Sequence, residues 1–129
     1  MGRVQRSPGA SAVLVCGMVL FCAAVSPVAK ASCSGCRPNR EEGRIVITQA
    51  ACGSCHEIPG VLNANGLVGP PLARFGRRAT VAGVLPNSPD NLAYWLRFPQ
   101  KIVPGNAMPN TGLSESQAHD AAAYLESLR

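Results

Sequence analysis

The most informative cluster in this sequence is Cys52, Cys55 and His56, which form the pattern C-x-x-C-H. Cysteines three residues apart lie on one face of a helical turn, so both sulfurs can form thioether bonds to the two vinyl groups at one edge of a haem. The next residue, His56, then projects its imidazole beneath the iron. The pattern therefore predicts one covalently bound haem c, with His56 as an iron ligand.

Other uses of a cysteine pair fit this sequence less well. A zinc site would need a second pair of ligands, and a thioredoxin-like motif would need a βαβ setting. We find neither around Cys52 and Cys55. The haem interpretation is favoured because the histidine follows the second cysteine directly.

Met108 is the candidate for the second axial ligand. It is the only methionine outside the N-terminal leader, and it lies in a proline-rich loop between helices. The alternative is a methionine that only fills the core, which is the usual role of this residue. The alternative ligand, His119, lies between Ala118 and Asp120 off the apolar stripe of the last helix, and we interpret it as solvated. A soft thioether opposite an imidazole raises the reduction potential and fills the coordination sphere.

The N-terminus predicts a secretory signal peptide over residues 1–31. Arg3 and Arg6 form a basic start, an apolar run covers residues 12–25, and Ala29-Lys30-Ala31 matches a small-residue cleavage site. An uncleaved leader that anchors the chain in a membrane is the alternative. We therefore expect a periplasmic or otherwise exported protein.

Cleavage would leave 98 of the 129 residues and would reduce the formal net charge from +5 to +2. A chain of this length forms one domain with a modest core, to which a buried haem would add apolar bulk. The sequence shows no interleaving of aromatic and basic residues, so we expect no nucleic-acid partner.

A second cysteine pair, Cys33 and Cys36, lies in residues 32–40, which we expect to be a flexible tail before the domain at 41–129. No histidine follows this pair, so it is not a second haem site. In an oxidising compartment it could form a local disulfide, and a free or otherwise used pair is the alternative.

The helical signals predict an all-α fold with three main helices and long loops around the haem. A first helix over 40–51 carries Gly43, Val46, Ile47 and Ala50 on one stripe. A second helix begins with Ser88 as N-cap and Pro89 as first residue, and it ends before Pro99. No strand pattern competes, and residues 57–86 are rich in glycine and proline, which indicates an irregular segment.

The last helix is predicted to begin at Ser114, with Gln117 completing a capping box. Its buried stripe is predicted to consist of Ala118, Ala121, Ala122, Leu125 and Leu128. These small residues favour close packing, so we expect Tyr124 or Leu125 to approach the backbone of the first helix at Gly43.

The chain resembles the class I monohaem cytochromes c over about residues 41–129. Three stretches carry the resemblance: Cys52-Gly53-Ser54-Cys55-His56, then Gly69-Pro70-Pro71-Leu72 with Phe75-Gly76-Arg77-Arg78, and then residues 94–109, which end in Pro104-Gly105-Asn106-Ala107-Met108-Pro109. It is most similar to cytochrome c domains associated with bacterial haem-copper oxidases.

The resemblance implies His56 and Met108 as iron ligands and Pro70 as the carbonyl that accepts a hydrogen bond from His56. It implies that Arg77 and Asn106 bind haem propionates and that Trp95 lies against the methionine sulfur. Arg77 and Arg78 could alternatively be a solvated charge pair. The tryptophan that many relatives place before the second helix is absent, with Asn87 near that position, and the lysines with which mitochondrial relatives dock are nearly absent.

Together these observations predict an electron-transfer protein that is not itself an enzyme. We expect a monomer that takes electrons from an upstream reductase and passes them to a terminal oxidase in a respiratory chain. A haem-bearing subunit of a larger oxidoreductase complex is one alternative, and a peroxidase-type or ligand-binding haem protein with a vacant iron position is another.

Overall fold

The computed structural model describes Met1 and residues 37–129. The predicted signal peptide, apart from Met1, and the pair Cys33 and Cys36 lie outside the described residues. Every element described below belongs to the unit Ala31–Arg129.

Four α-helices build the described part of the chain. They are α1 (Arg40–Gln49), α2 (Pro89–Arg97), α3 (Pro99–Ile102) and α4 (Glu115–Ser127). Single 3₁₀ turns cover Cys52–Ser54 and Phe75–Arg77. The helical class agrees with the sequence, and α3 is one turn more than the three helices predicted, because Pro99 restarts a helix too short to show a periodic pattern.

Local side chains set the helix ends. The Ser88 hydroxyl accepts a hydrogen bond from the Asn91 N–H at the start of α2, and α2 ends at Arg97 as predicted. At the start of α4, Ser114 and Gln117 form both hydrogen bonds of the predicted capping box. In contrast, α1 ends at Gln49, two residues before the predicted end, because Ala51 adopts a left-handed conformation with φ of 53°.

Helices α1 and α4 cross at Gly43, as the sequence predicts. A Cβ atom at this position would overlap the carbonyl oxygen of Asp120 and would lie 3.0 Å from the Cβ of Tyr124. The backbone N–H of Asn39 also donates a 2.7 Å hydrogen bond to Asp120 Oδ1 at this crossing. Only glycine at position 43 therefore permits the observed distance between the two helices.

The buried stripes of these helices are close to those predicted. In α1, Gly43, Val46 and Ile47 are buried, and Ala50, the residue after the end of α1, is exposed. Leu128 is partly buried and packs against the core just beyond the end of α4. Tyr124 adds a residue to the buried face of α4.

The prediction of no strands is wrong at one short hairpin. Strand β1 (Thr80–Val81) pairs antiparallel with β2 (Leu85–Pro86). The chain reverses between them at Ala82 and Gly83, which both have positive φ, at 52° and 76°. Two-residue strands are too short to show an alternating pattern, and Ala-Gly is not one of the dipeptides that usually mark such a turn.

In the described residues 37–129, no helix combines the length and the apolar character that are needed to cross a bilayer.

Candidate haem-binding site

The C-x-x-C-H motif forms a tight turn directly after α1. The N–H groups of Cys55 and His56 both donate to the carbonyl of Cys52, at 3.2 and 3.0 Å. Cys52 and Cys55 form no disulfide with each other, and each is partly buried. Burial raises the pKa of the Cys52 side chain.

The segment that follows the motif folds back onto it through backbone hydrogen bonds. Gly66 N–H donates to the Gly53 carbonyl at 3.0 Å, and Gly69 N–H donates to the Cys55 carbonyl at 2.7 Å. A Cβ atom at Gly66 would overlap the backbone of Ser54 and Cys55. Glycine at this position therefore lets the two stretches of backbone approach each other.

The imidazole of His56 is held in one orientation. Its Nδ1 lies 2.8 Å from the Pro70 carbonyl, the hydrogen bond that the resemblance implies. Because a carbonyl can only accept, Nδ1 carries a proton, and in the neutral tautomer with this proton the lone pair is on Nε2. The Gly69 backbone passes so close to the ring that a Cβ there would overlap Cε1.

A cavity of about 490 Å³ lies at the centre of this arrangement. Its wall contains Cys52, Cys55 and His56 and, from a distant part of the sequence, Met108. The rest of the lining is mainly apolar and comes from three helices and from the loops between them, with residues such as Val46, Ile47, Leu72, Phe75, Leu92 and Leu125. A volume of several hundred Å³ with an apolar lining is typical of small-molecule and cofactor sites.

Met108 is held by two side-chain amides. Asn106 Oδ1 accepts a 2.8 Å hydrogen bond from the Met108 N–H, and Gln100 Nε2 donates a 2.7 Å hydrogen bond to the Met108 carbonyl. Both amides are themselves fixed to the surrounding backbone. The role of Gln100 was not predicted, because no local motif indicates a side chain that bonds five to eight residues ahead.

The Asn106 side chain lies in the cavity wall, but its donors are already used. Its Nδ2 donates to the carbonyls of Pro99 at 3.0 Å and of Val103 at 2.6 Å. An amide nitrogen has two N–H groups, so no donor is left for a propionate, which is the role that the resemblance implies.

The two arginines that follow Phe75 lie in different surroundings. Arg77 is exposed and does not line the cavity, whereas the partly buried Arg78 does. The Arg78 guanidinium donates to the Pro71 carbonyl and lies 5.0 Å from the centre of the Phe75 ring. The arginine that lines the cavity is therefore Arg78, whereas the resemblance implies the propionate role for its neighbour Arg77.

Asn87 stabilises the segment that carries Arg78. Its Nδ2 donates to the carbonyls of Phe75 at 3.2 Å and of Arg78 at 3.0 Å, and its backbone N–H donates to Ala79. Asn87 therefore fixes this turn at the position near which many relatives carry a tryptophan.

Trp95 and His119 extend from α2 and α4 in different directions. Trp95 is partly buried and lines the large cavity, as its predicted contact with the methionine requires. His119 lies in the wall of a separate cavity of about 260 Å³, where its Nδ1 is 3.9 Å from Asp90 Oδ1. The rival ligand is therefore not in the wall of the cavity that contains His56.

The residues around the large cavity fit a covalently bound haem. Two thiols, a neutral imidazole with a free nitrogen and a soft thioether are the attachment and ligand groups of a haem c, and the apolar lining suits a porphyrin. Arg78 supplies a cation for a negatively charged edge.

The chain is similar in sequence to known proteins. A family model described as "Cytochrome c" matches residues 40–129. The cytochrome c oxidase subunit 2 of Alkalihalophilus pseudofirmus (strain ATCC BAA-2126 / JCM 17055 / OF4) is 38% identical over 89 residues, which are 68% of this chain and 25% of that protein. The subunit 2 proteins of Bacillus sp. (strain PS3) and Bacillus subtilis (strain 168) are 35% and 36% identical, over 71% and 69% of this chain and 27% and 26% of their own lengths.

The chain thus spans about a quarter of the length of the curated relatives it matches. The family model covers all the helices that build the cavity, from α1 to α4. On the sequence match and the fold together, this chain belongs to the cytochrome c family.

Proposed function

We propose that the chain carries single electrons through one haem c bound covalently to Cys52 and Cys55, with His56 and Met108 as the axial ligands. The observation that supports this proposal most strongly is that one cavity wall contains both thiols, the imidazole and the thioether. When bound, the haem supplies an iron that alternates between the ferric and ferrous states.

The residues around the cavity have separate tasks in this proposal. The Pro70 carbonyl fixes the His56 ring, so that Nε2 would be the atom that binds the iron. Met108 supplies a neutral sulfur that favours the ferrous state, and the apolar lining excludes water from the site. Because His56 and Met108 would both hold the iron, the site would suit electron transfer and not ligand activation.

Polar groups at the rim would hold the haem propionates. Arg78 is the cation that lines the cavity, and we assign it the propionate role that the resemblance implies for Arg77. Trp95 would lie beside the methionine sulfur, because both residues are in the same wall.

The proposed docking face lies beside the C-x-x-C-H turn. Residues 58–73 contain no charged side chain, and Leu67 and Val68 are 90% and 73% exposed. Val68 also lines the cavity, so this neutral surface reaches its edge. A partner with an apolar patch would dock here transiently, over a small area, and the transfer rate would depend little on salt.

The partner that fits best is a terminal oxidase, since the relatives described above are oxidase subunits. Electrons would reach the haem from an upstream reductase. Transfer of this kind takes place on the outer face of a membrane, which agrees with an exported protein and with the signal peptide predicted for residues 1–31.

A redox titration followed by absorption spectra tests the proposal. The wild-type ferric protein is expected to show the weak red band of a sulfur-to-iron transition, and the Met108→Ala variant is expected to lose it. The variant should also have a lower potential and should bind carbon monoxide in the ferrous state. An unchanged spectrum and potential in the variant would reject Met108 as a ligand.

A second candidate is a fixed haem-bearing subunit of a larger oxidoreductase complex. It is favoured by the relatives, in which the matched region is about a quarter of an oxidase subunit. Detergent extracts of the native host separate the two candidates. Recovery of this chain with an intact oxidase after purification at high salt supports the fixed subunit, and its recovery alone supports the shuttle.

A further inference from the structure

Two side-chain amides hold the loop that carries Met108, and they do so by direct contact with the backbone of that residue. The N–H of Met108 donates to Asn106 Oδ1, and its carbonyl accepts from Gln100 Nε2. Both groups are partly buried. Each backbone polar group of Met108 is therefore satisfied by a side chain, where a helix or strand would use another backbone group.

Gln100 makes two further hydrogen bonds to the same loop. Its Nε2 also donates to the Asn106 carbonyl at 2.8 Å, and its Oε1 accepts from the Gly105 N–H at 3.0 Å. Both N–H groups and the carbonyl of this one amide are thus in use. The side chain extends from the one-turn helix α3 and spans the loop from Gly105 to Met108.

No regular secondary structure stabilises this loop. Pro104 and Pro109 lack a backbone N–H, and Gly105 has a left-handed φ of 79°. Because few backbone hydrogen bonds are available, the Gln100 amide carries a large share of the restraint on Met108. Its loss would leave the Met108 carbonyl and the Gly105 N–H without these partners.

We propose that Gln100 is a positioning residue that holds the Met108 thioether in place as a haem ligand, acting together with Asn106. This inference rests on the proposed function, because it requires Met108 to be the ligand. The hydrogen bonds of Gln100 resist opening of the loop, so they would keep the Met108 side chain where it can hold the haem.

The test measures how fast external imidazole replaces Met108 in the ferric, haem-loaded protein. Replacement requires the loop to open, so Gln100→Leu is expected to accelerate imidazole binding about tenfold, as the loss of one or two hydrogen bonds implies. The pH above which the red band disappears should also fall in this variant.

Two control variants separate positioning from general loosening. Gln49→Leu makes the same chemical change on an exposed residue at the end of α1. Ser127→Ala removes the 2.6 Å hydrogen bond from Ser127 Oγ to the Tyr124 carbonyl, at the end of α4 and outside the cavity wall. Imidazole binding is expected to stay within about twofold of wild type in both controls.

A third measurement needs no variant and covers the case in which Gln100→Leu fails to fold. In the described structure Gly105 N–H has Gln100 Oε1 as its partner, so hydrogen exchange in wild-type holoprotein should be slowed at least tenfold at Gly105. Exchange of this amide at the rate of a free peptide would contradict the inference.

The outcomes distinguish this inference from the proposed function. A wild-type protein without the red band would contradict Met108 as ligand and would remove the basis of the inference. A wild-type protein with the band, combined with wild-type imidazole kinetics in Gln100→Leu, would contradict the role of Gln100 alone. An equal acceleration in Ser127→Ala would also contradict it, because the effect would then be general loosening.

Discussion

The two sides of the candidate haem cavity are held by different means. On the histidine side, residues 52–72 are joined by backbone hydrogen bonds and by glycines that permit close approach, such as Gly66 and Gly69. On the methionine side, the loop is held by the side-chain amides of Gln100 and Asn106. Substitutions on the histidine side should therefore act through steric overlap, and substitutions on the methionine side should act by loosening the loop.

The largest effect is expected from Gly69→Ala on the histidine side. The added Cβ would overlap Cε1 of His56, so either the ring or the loop must move. Overpacking of this kind costs about 1–3 kcal/mol, and it should also reduce the yield of haem-loaded protein. Urea unfolding and the haem-to-protein ratio measure the two effects.

Gly112→Ala is the control for that substitution. Gly112 has a positive φ of 72°, but a Cβ there would meet no atom within 4 Å. The control should lose some stability through backbone strain and keep full haem loading. Equal loss of haem in both variants would contradict the steric explanation.

A smaller effect on the haem site is expected from Asn106→Leu on the methionine side, because it should disturb the methionine loop and leave haem attachment intact. This change removes the acceptor for the Met108 N–H, and leaving this partly buried group unpaired costs about 1–3 kcal/mol. The carbonyls of Pro99 and Val103 lose the Asn106 side chain but keep their backbone donors. We expect haem attachment to be normal and the red band to disappear at a lower pH than in wild type. Asn110→Leu, an exposed residue of the same loop, is the matched control and should behave as wild type. Loss of haem attachment in Asn106→Leu would contradict the division between the two sides.

A hydrogen bond from Tyr124 ties the histidine side to α4. The Tyr124 hydroxyl donates to the Pro59 carbonyl at 2.6 Å, so Tyr124→Phe should lower the free energy of unfolding by about 1 kcal/mol at neutral pH. Burial raises the pKa of Tyr124 above its usual value near 10. The unfolded chain therefore loses this proton first, and the contribution of Tyr124, present below pH 10, is lost as the pH rises through its folded pKa.

The pH dependence of unfolding tests this predicted loss of stability at high pH. Urea unfolding between pH 8 and 11 should show a smaller decrease in stability for Tyr124→Phe than for wild type. Parallel curves for the two proteins would contradict the assignment.

The smallest effect on the molecule itself is expected at the neutral surface beside the histidine side. Leu67→Lys places a charge on an exposed residue and should leave stability and spectrum unchanged. It should slow electron transfer to an oxidase and make the rate depend on salt, because the proposed docking face is uncharged. Ile45→Lys, an exposed position on α1, is the control. An equal decrease in rate for both variants would contradict docking at Leu67.

Features that depend on neighbouring residues could be predicted from the sequence. The caps at Ser88 and Ser114 depend on contacts within three residues, and both are present as predicted. The crossing at Gly43 could also be predicted, because a glycine on one apolar stripe and small residues on another favour close approach. The all-α class follows from the same helical patterns.

Features that depend on the path of a loop could not be predicted. Arg78, and not Arg77, lines the cavity because the turn at Phe75–Arg77 follows a left-handed Arg74 with φ of 54° and rotates the next side chains. The bonds of Gln100 depend on where α3 places its side chain, which a single sequence does not specify. The hairpin at Ala82 was missed for the same reason.

The central claim is that one covalently bound haem lies between the histidine side and the methionine side of the cavity. Peptide mass spectrometry tests it most directly, on protein produced in a host with a cytochrome maturation system. The peptide containing Cys52 and Cys55 should carry the added mass of one haem, and a variant with both cysteines replaced by serine should carry none. An unmodified peptide from the wild-type protein would contradict the assignment of the cavity to a covalently bound haem.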